Sequence, residues 1–204
     1  MWQLDHLAVC AADLSAGRDW AESRLGATFG PGGEHARYGT HNLLLGMGDL
    51  YLEVIAPNPD AAPQAPRWFG LDTPPQTPRL GNWICRTGDL DQALRAAPDG
   101  AGRPADLERG DLRWRIAAPE DGSLPMGGGW PTLIEWGAET LHPAQRLPDS
   151  GLRLRRLIVR HPQAADIAHR LSGQLDDPRI TFEPGPTPGL RAEIDSPQGP
   201  KVLE

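Results

Sequence analysis

The 204-residue sequence contains only two cysteines, Cys10 and Cys85. Two cysteines are too few for a secreted disulfide framework, and these two do not form a paired metal motif. No uncharged apolar run approaches the ~18 residues of a membrane-spanning helix, and no signal-peptide pattern opens the chain. We therefore expect a cytoplasmic protein in a reducing compartment, without a membrane partner.

Basic residues are outnumbered, with 20 Lys and Arg against 27 Asp and Glu, which gives a formal charge of −7. A negative protein repels a phosphate backbone, so we expect no nucleic-acid partner. Several enzyme motifs are also missing. There is no His-Glu-x-x-His and no serine in a nucleophile elbow, and the glycines at 46–48 and 127–129 precede predicted strands rather than helices. The sequence therefore does not indicate a zinc protease, a serine hydrolase or a dinucleotide-binding loop.

Glycine and proline are abundant, with 24 and 22 residues, beside a hydrophobic share of 39%. This composition is typical of a globular domain with short elements and many turns. Leu4–Cys10 is a β-prone stretch. A helix is predicted after it, because Asp13 suits the N-cap, apolar residues between Leu14 and Leu25 share one face, and Gly26 suits the C-terminus.

The element order of this first stretch is β-α-β-β-β, and the order recurs along the chain. It starts again near residue 82 at an offset of 76, which places Asp13 on Asp89, and a third version follows. We predict an α+β protein that forms a single domain over residues 1–204. Its approximate modules are 1–57, 79–138 and 152–204.

Proline-rich connections join these modules. The segment from Ala56 to Pro78 is unusually long for a connection inside a compact domain, which favours a lid or a packed arm. Trp68 and Phe69 lie in its middle. We expect them to pack against the sheet, with covering of a ligand as the alternative.

Several motifs resemble those of one known family. They are Leu4-Asp-His6, Gly32-Gly-Glu-His35 with Gly39-Thr-His-Asn42, the strand Tyr51–Ile55 and the segment Pro188–Ala192. Over nearly the whole chain they are similar to the glyoxalase-like domain branch of the vicinal oxygen chelate superfamily. The resemblance implies βαβββ modules forming curved mixed sheets around a cavity, with helices on the outer face. It also implies a divalent metal held by the first and last strands of each module. The superfamily includes lyases, isomerases, extradiol dioxygenases and drug-binding proteins, so the resemblance does not choose a reaction.

Carried onto this sequence, the resemblance implies His6 and Glu53 as metal ligands in the first module. In the second module, the offset of 76 puts Asn82 in place of His6, and alignment of the last strands puts Glu135 in place of Glu53. Asn82 is a neutral amide and a weak ligand for transition metals, so a site with four protein ligands is in doubt. An imidazole and a carboxylate in one cavity can bind Zn²⁺, Mn²⁺, Ni²⁺ or Fe²⁺.

Side-chain alternation gives an independent prediction of where these residues point. Leu7 is expected to pack on the helix, which leaves His6 on the opposite face of its strand. The same argument places Glu53, Arg86 and Glu135 on cavity faces. The alternative is structural, with His6 a hydrogen-bonded core histidine and Glu53 paired with Arg86.

Arg86 is a charged residue in an otherwise apolar strand. A buried guanidinium needs a partner, so we expect Glu53, Glu135 or an acidic group of a ligand beside it. Three roles remain open for His35: a third metal ligand, a general base or a ligand-positioning group. Thr40 and Asn42 are expected to point inward and, with Arg86 and Asn82, to bind substrate.

Two functions from different classes fit these expectations. The first is a metal-dependent lyase or isomerase for a small oxygenated, acidic substrate, in which His35, Glu135 or Glu53 acts as the base. The second is a non-catalytic protein that binds or sequesters a small molecule in the same cavity, using Arg86 and tryptophans. An extradiol dioxygenase is disfavoured because the expected second histidine is missing. The odd number of modules allows, without requiring, a homodimer.

Overall fold

The computed structural model describes residues 1–204. The first module is formed by five elements in the predicted order. They are β1 (Gln3–Cys10), α1 (Leu14–Leu25), β2 (Gly30–His35), β3 (Thr40–Met47) and β4 (Leu50–Pro57).

The second module repeats this order and joins the same sheet. Its elements are β5 (Arg79–Arg86), α2 (Leu90–Ala96), β6 (Arg103–Arg109), β7 (Leu112–Ala118) and β8 (Thr132–Trp136). The eight strands are arranged β2-β3-β4-β1-β5-β8-β7-β6. Strands β1 and β5 lie antiparallel at the centre, and each has the last strand of its own module beside it in parallel. The α+β architecture of βαβββ modules is thereby confirmed.

Both predicted helix starts are present. The Asp13 carboxylate accepts a hydrogen bond from the Ala16 backbone N–H at 2.8 Å, and Asp89 accepts one from Gln92 in the same way. Gly26 ends α1 with φ of 69°, a conformation in which a side chain would be strained. Local sequence signals therefore determine where these helices begin and where α1 ends.

The two faces of the eight-stranded sheet carry different apolar cores. One core includes Leu7, Leu52 and Leu133, and it packs against the helices. The other includes Ala8, Ile55 and the tryptophans of the concave side. Because side chains alternate along a strand, two residues that are adjacent in sequence point to opposite cores. The second face holds the candidate site.

The third module has the predicted element order but a different pairing. Its elements are β9 (Arg153–His161), α4 (Ala164–Leu171), β10 (Ile180–Pro184), β11 (Gly189–Asp195) and β12 (Lys201–Leu203), and a short helix α3 (Pro143–Arg146) precedes them. They form a separate sheet of order β10-β9-β11-β12. This sheet packs on the helix side, where β11 contacts β5 and β12 contacts α1. The third module therefore contributes to the core and not to the concave face.

The long connection between the first two modules folds down onto the concave face. Trp68 and Phe69 form a 3₁₀ turn, and both are buried. Phe69 has φ of 60°, and the next residue, Gly70, donates its N–H to the Gly122 carbonyl at 2.8 Å. The segment is therefore a packed arm. None of the helices is both long and apolar enough to cross a membrane.

Candidate functional site

The candidate site is a small cavity on the concave face of the eight-stranded sheet. Its lining includes His6 from β1 and Glu53 from β4, so the prediction that these two side chains share a cavity is confirmed. The remaining volume is about 30 Å³, where a single water needs about 10–15 Å³. Only a small group can enter the cavity in this form. Its other lining residues are His35, Asn42, Leu44, Tyr51, Trp68, Phe69, Arg109, Trp114, Ile116, Ile134, Trp136 and Pro143.

A buried carboxylate orients His6. The Nδ1 atom of His6 lies 2.6 Å from Oδ1 of Asp5, and the imidazole stacks on the Tyr51 ring at 4.4 Å. With Asp5 ionised, the His6 proton is on Nδ1, and this N–H donates a hydrogen bond to the carboxylate. The lone pair of Nε2 then faces Glu53, whose Oε2 lies 3.8 Å away. Metal-binding histidines commonly donate the N–H of their other ring nitrogen to a carboxylate in this way.

Asp5 is held by two further donors. Its Oδ2 accepts hydrogen bonds from His142 Nε2 at 2.8 Å and from Trp136 Nε1 at 3.0 Å. Nδ1 of His142 accepts the Ala144 backbone N–H, which leaves the ring proton on Nε2. Burial raises the pKa of Asp5, but hydrogen bonds from His142 and His6 outweigh this and hold it well below its ordinary value. Asp5 is therefore a carboxylate that orients groups around it.

Glu53 is fixed by Asn42, as expected for an inward-pointing residue. The Asn42 amide nitrogen donates to Glu53 Oε1 at 2.5 Å. Oδ1 of Asn42 accepts from the Gly33 N–H at 2.8 Å and from Arg109 Nη1 at 3.1 Å. These bonds fix which end of the amide faces which neighbour. A single carboxamide thus separates Arg109 from Glu53.

His35 forms another wall of the cavity. Its Nδ1 lies 3.1 Å from Thr40 Oγ1, which also accepts a hydrogen bond from Trp68 Nε1 at 3.1 Å. Burial lowers the pKa of His35 to about 3, and the positive charge of Arg109 adds to this effect. His35 is therefore neutral at neutral pH and a weak base. Of its three open roles, ligand positioning fits this environment best.

The predicted position of Glu135 is wrong. Residues alternate in β8 so that Ile134 belongs to the cavity core and Leu133 to the helix core. Glu135 shares the face of Leu133, accepts the Leu90 backbone N–H at 2.9 Å and pairs with Arg115 at 3.2 Å. It caps the start of α2, and it is not in reach of a ligand in the cavity.

The register of the strands shows which residue replaces Glu53 in the second module. Ala8 lies beside Glu53, and the offset of 76 carries Ala8 onto Ile84, which lies beside Thr132. Thr132 therefore occupies the position that was assigned to Glu135. Its hydroxyl accepts the Asn82 amide at 2.9 Å, so the second module pairs Asn82 with a neutral residue. Both side chains are buried, and neither lines the cavity.

Arg86 has a partner other than the two predicted ones. Its Nη1 lies 3.6 Å from Asp5 Oδ2, and its Nε donates to Gln3 at 3.0 Å. Its side chain is 30% exposed and outside the cavity lining. The expectation that Glu53 or Glu135 pairs with Arg86 is therefore wrong, and the geometry makes Arg86 a support for Asp5.

The donor atoms in the cavity fit two positions of a metal site. His6 Nε2 and Glu53 Oε2 face each other, with Asp5 and Asn42 holding the two side chains from behind. No third His, Cys, Asp or Glu completes a cluster. The thiol of Cys10 is buried beside Glu53, which raises its pKa to about 12. A metal bound here would take its remaining ligands from substrate or water.

Three residues of the site were not predicted. Asp5 escapes the alternation argument because a bulge between Leu4 and His6 interrupts the pairing of β1 with β5, and bulges re-aim side chains. His142 lies in a connection. Arg109 ends β6, a strand that sequence patterns did not indicate. The adjacency of Asp5 and His6 in the sequence was the one signal available.

The site thus consists of a histidine and a glutamate, from the first and last strands of one module, on a curled eight-stranded sheet. The family model for the glyoxalase-like domain matches residues 4–175. The chain therefore belongs to the glyoxalase-like domain family, which confirms the resemblance to this branch of the vicinal oxygen chelate superfamily.

A solved structure that is distant in sequence has a similar fold. A hypothetical protein from Staphylococcus aureus has a TM-score of 0.62 at 13% identity, over 92% of this chain and 88% of that one. Methylmalonyl-CoA epimerase from Mycobacterium tuberculosis has a TM-score of 0.41 at 22% identity, over 65% of this chain and 85% of that one. A Streptomyces coelicolor methylmalonyl-CoA epimerase has a TM-score of 0.42 at 19% identity, over 67% and 95%. No curated protein is detectably similar in sequence.

Proposed function

We propose that the protein is a metal-dependent lyase or isomerase that acts on a small oxygenated, acidic substrate in the cytoplasm. The observation that carries the proposal is the facing pair of donor atoms, His6 Nε2 and Glu53 Oε2, at 3.8 Å. Two acceptor lone pairs pointing at one another repel unless a proton or a cation lies between them. Zn²⁺, Mn²⁺, Ni²⁺ or Fe²⁺ suits an imidazole and a carboxylate.

Each residue around the pair has a role in this proposal. His6 and Glu53 would hold the metal, and a bound metal would supply Lewis-acid polarisation of a substrate oxygen. Asp5 keeps the His6 proton on Nδ1, and Asn42 keeps Glu53 turned toward the histidine. His35 presents a neutral ring to the substrate, and Trp68 and Phe69 exclude water from one side.

A metal-free binding protein is the second candidate, and one observation favours it. The cavity brings together only two side chains of the kind that bind transition metals. The corresponding pair in the second module, Asn82 and Thr132, is neutral, and the two side chains are hydrogen-bonded to each other. A binding protein would use the same walls without chemistry.

Elemental analysis separates the two candidates. The protein is purified without chelators and without an affinity tag, and bound metal is measured by mass spectrometry, once as purified and once after incubation with ZnCl₂ and MnCl₂ and removal of free metal. About one metal ion per chain is expected for the enzyme. A metal content at background in both measurements would overturn it in favour of the binding protein.

A further inference from the structure

Arg109 is the one permanently charged basic residue in the cavity lining. It forms no ion pair, in contrast to Arg113 at the other end of the same hairpin turn, whose Nε lies 3.1 Å from Glu108. Instead its Nη1 donates to the neutral amide of Asn42. None of the five guanidinium donors therefore contacts a protein carboxylate.

Two glycines make room for this arginine and for Asn42, which it contacts. A Cβ on Gly33 would lie 2.4 Å from Arg109 Cδ and 2.9 Å from its Nε, whereas a Cβ on Gly32 would lie 2.0 Å from the backbone oxygen of Asn42 and 2.4 Å from its Oδ1. Neither glycine has a positive φ. The backbone conformation of β2 thus permits any residue there, and the close approach of Arg109 and Asn42 is what requires glycine.

A larger groove elsewhere on the second module lacks such a free charge. It has a volume of about 330 Å³, and its lining includes Arg113, Arg115, three carboxylates and two tryptophans. Arg113 pairs with Glu108, and Arg115 pairs with Asp91 and Glu135. Its arginines are neutralised by the protein, so the groove offers no comparable anion site.

We propose that Arg109 binds the carboxylate of the substrate, and that the substrate is a small organic acid. This inference rests on the proposed function and specifies its substrate. Guanidinium binds carboxylates through two parallel N–H donors. The Asn42 carboxamide bonds both Arg109 and Glu53. A carboxylate held by Arg109 would therefore lie in the part of the cavity that also holds the donor atoms of His6 and Glu53.

Binding of lactate and lactamide tests the proposal. The two molecules share the hydroxyl and differ in the charge beside it, and their affinities are measured by calorimetry at pH 7 with and without Zn²⁺. Wild type should bind lactate about 10- to 100-fold more tightly than lactamide, which is the effect of a charge-assisted contact. Arg109→Gln should lose this preference. Gly33→Ala, which displaces the guanidinium without removing it, should reduce it.

Arg113→Gln is the matched control and should keep the wild-type preference. Arg109→Lys should keep a part of it, and its melting temperature shows whether changes at this position disturb the fold. The proposal is overturned if wild type binds the two molecules equally or binds neither, or if Arg109→Gln retains the preference. Zn²⁺ affinity of the same proteins is measured separately. Zn²⁺ binding without a lactate preference overturns this inference alone, whereas a lactate preference without any metal binding overturns the proposed enzyme alone.

Discussion

Asp5 is a fully buried carboxylate, and three ring N–H groups donate to it while the Arg86 guanidinium lies nearby. An unpaired buried carboxylate would be costly, and these donors offset that cost. The result is a fixed tautomer of His6, whose Nε2 lone pair faces Glu53. The chemistry of the cavity therefore depends on a residue that does not line it.

The environment of His35 makes stability depend on pH. Burial lowers the pKa of His35 to about 3, against about 6.5 in an unfolded chain. Between these values the unfolded state binds a proton that the folded state does not, so the free energy of unfolding is highest above pH 6.5 and falls as pH drops toward 3. The loss from this residue is up to about 1.4 kcal/mol per pH unit. Urea denaturation at several pH values measures it.

His35→Gln should flatten this dependence, whereas His169→Gln, at an exposed position of α4, should retain it. A wild-type slope in His35→Gln between pH 6.5 and 4 would show that His35 is not kept neutral by the fold.

At the residue scale, the sequence predicts the inward positions of His6, Glu53 and Asn42, because regular alternation holds in β3, in β4 and in β1 from His6 onward. It mispredicts Glu135, since an alignment that is out of register by an odd number of residues, here three, moves a side chain to the opposite face of a strand. Arg109 and His142 reach the site through tertiary structure, for which the local pattern carries no signal.

Among the elements, α1 approaches the sheet unusually closely. Gly17 faces β4, and a Cβ there would lie 2.7 Å from Val54 Cγ1 and 2.8 Å from the Ala11 Cβ. Val54 shares a strand with Glu53 and points to the opposite face. The packing of α1 through Gly17 therefore helps to fix the strand that carries Glu53.

Gly17→Ala should destabilise the protein by about 1–3 kcal/mol, because overpacking outweighs the better helix propensity of alanine. Chemical denaturation measures this effect. Ser15→Ala, at an exposed position of the same helix, should change stability by less than about 0.5 kcal/mol. Equal stability of Gly17→Ala and wild type would mean that α1 can move away from the sheet without cost.

The elements with clear local signals are the ones that the sequence predicts. Capping residues and apolar spacing indicate α1 and α2, whereas β2 is a glycine-rich stretch and β6 carries alternating charges, so neither shows the apolar alternation of a strand. Both are edge strands of the sheet. Pairing with a neighbouring strand makes each of them a strand, and their own residue patterns do not indicate it.

In the whole molecule, the third module supports the site from behind. Its buried residues, including Leu157 and Ile194, join the core that contains Leu7 and Leu52. The module has the element order of the other two, but its first strand, β9, pairs with β10 and β11. In the large sheet, the first strand of each module pairs instead with the last strand of the same module. Element order alone did not reveal this difference, because strand pairing is decided by which faces can be buried together.

A shared core predicts cooperative unfolding. Leu157→Ala should cost about 2–5 kcal/mol, and it should shift the tryptophan fluorescence transition although all seven tryptophans lie at or before residue 136. Arg155→Ala, exposed on the same strand, should shift it far less. A fluorescence midpoint unaffected by Leu157→Ala would show that the third module unfolds independently.

The most direct test of the account is a metal titration of wild type, His6→Ala and Asn82→Ala with Zn²⁺, Mn²⁺ and Ni²⁺. Imidazole is a strong ligand for these ions and a carboxamide that already bonds Thr132 is not. Wild type should bind one ion, His6→Ala should bind none, and Asn82→Ala should bind nearly as wild type does. Binding by His6→Ala at wild-type affinity, or no binding by wild type above background, would contradict this prediction.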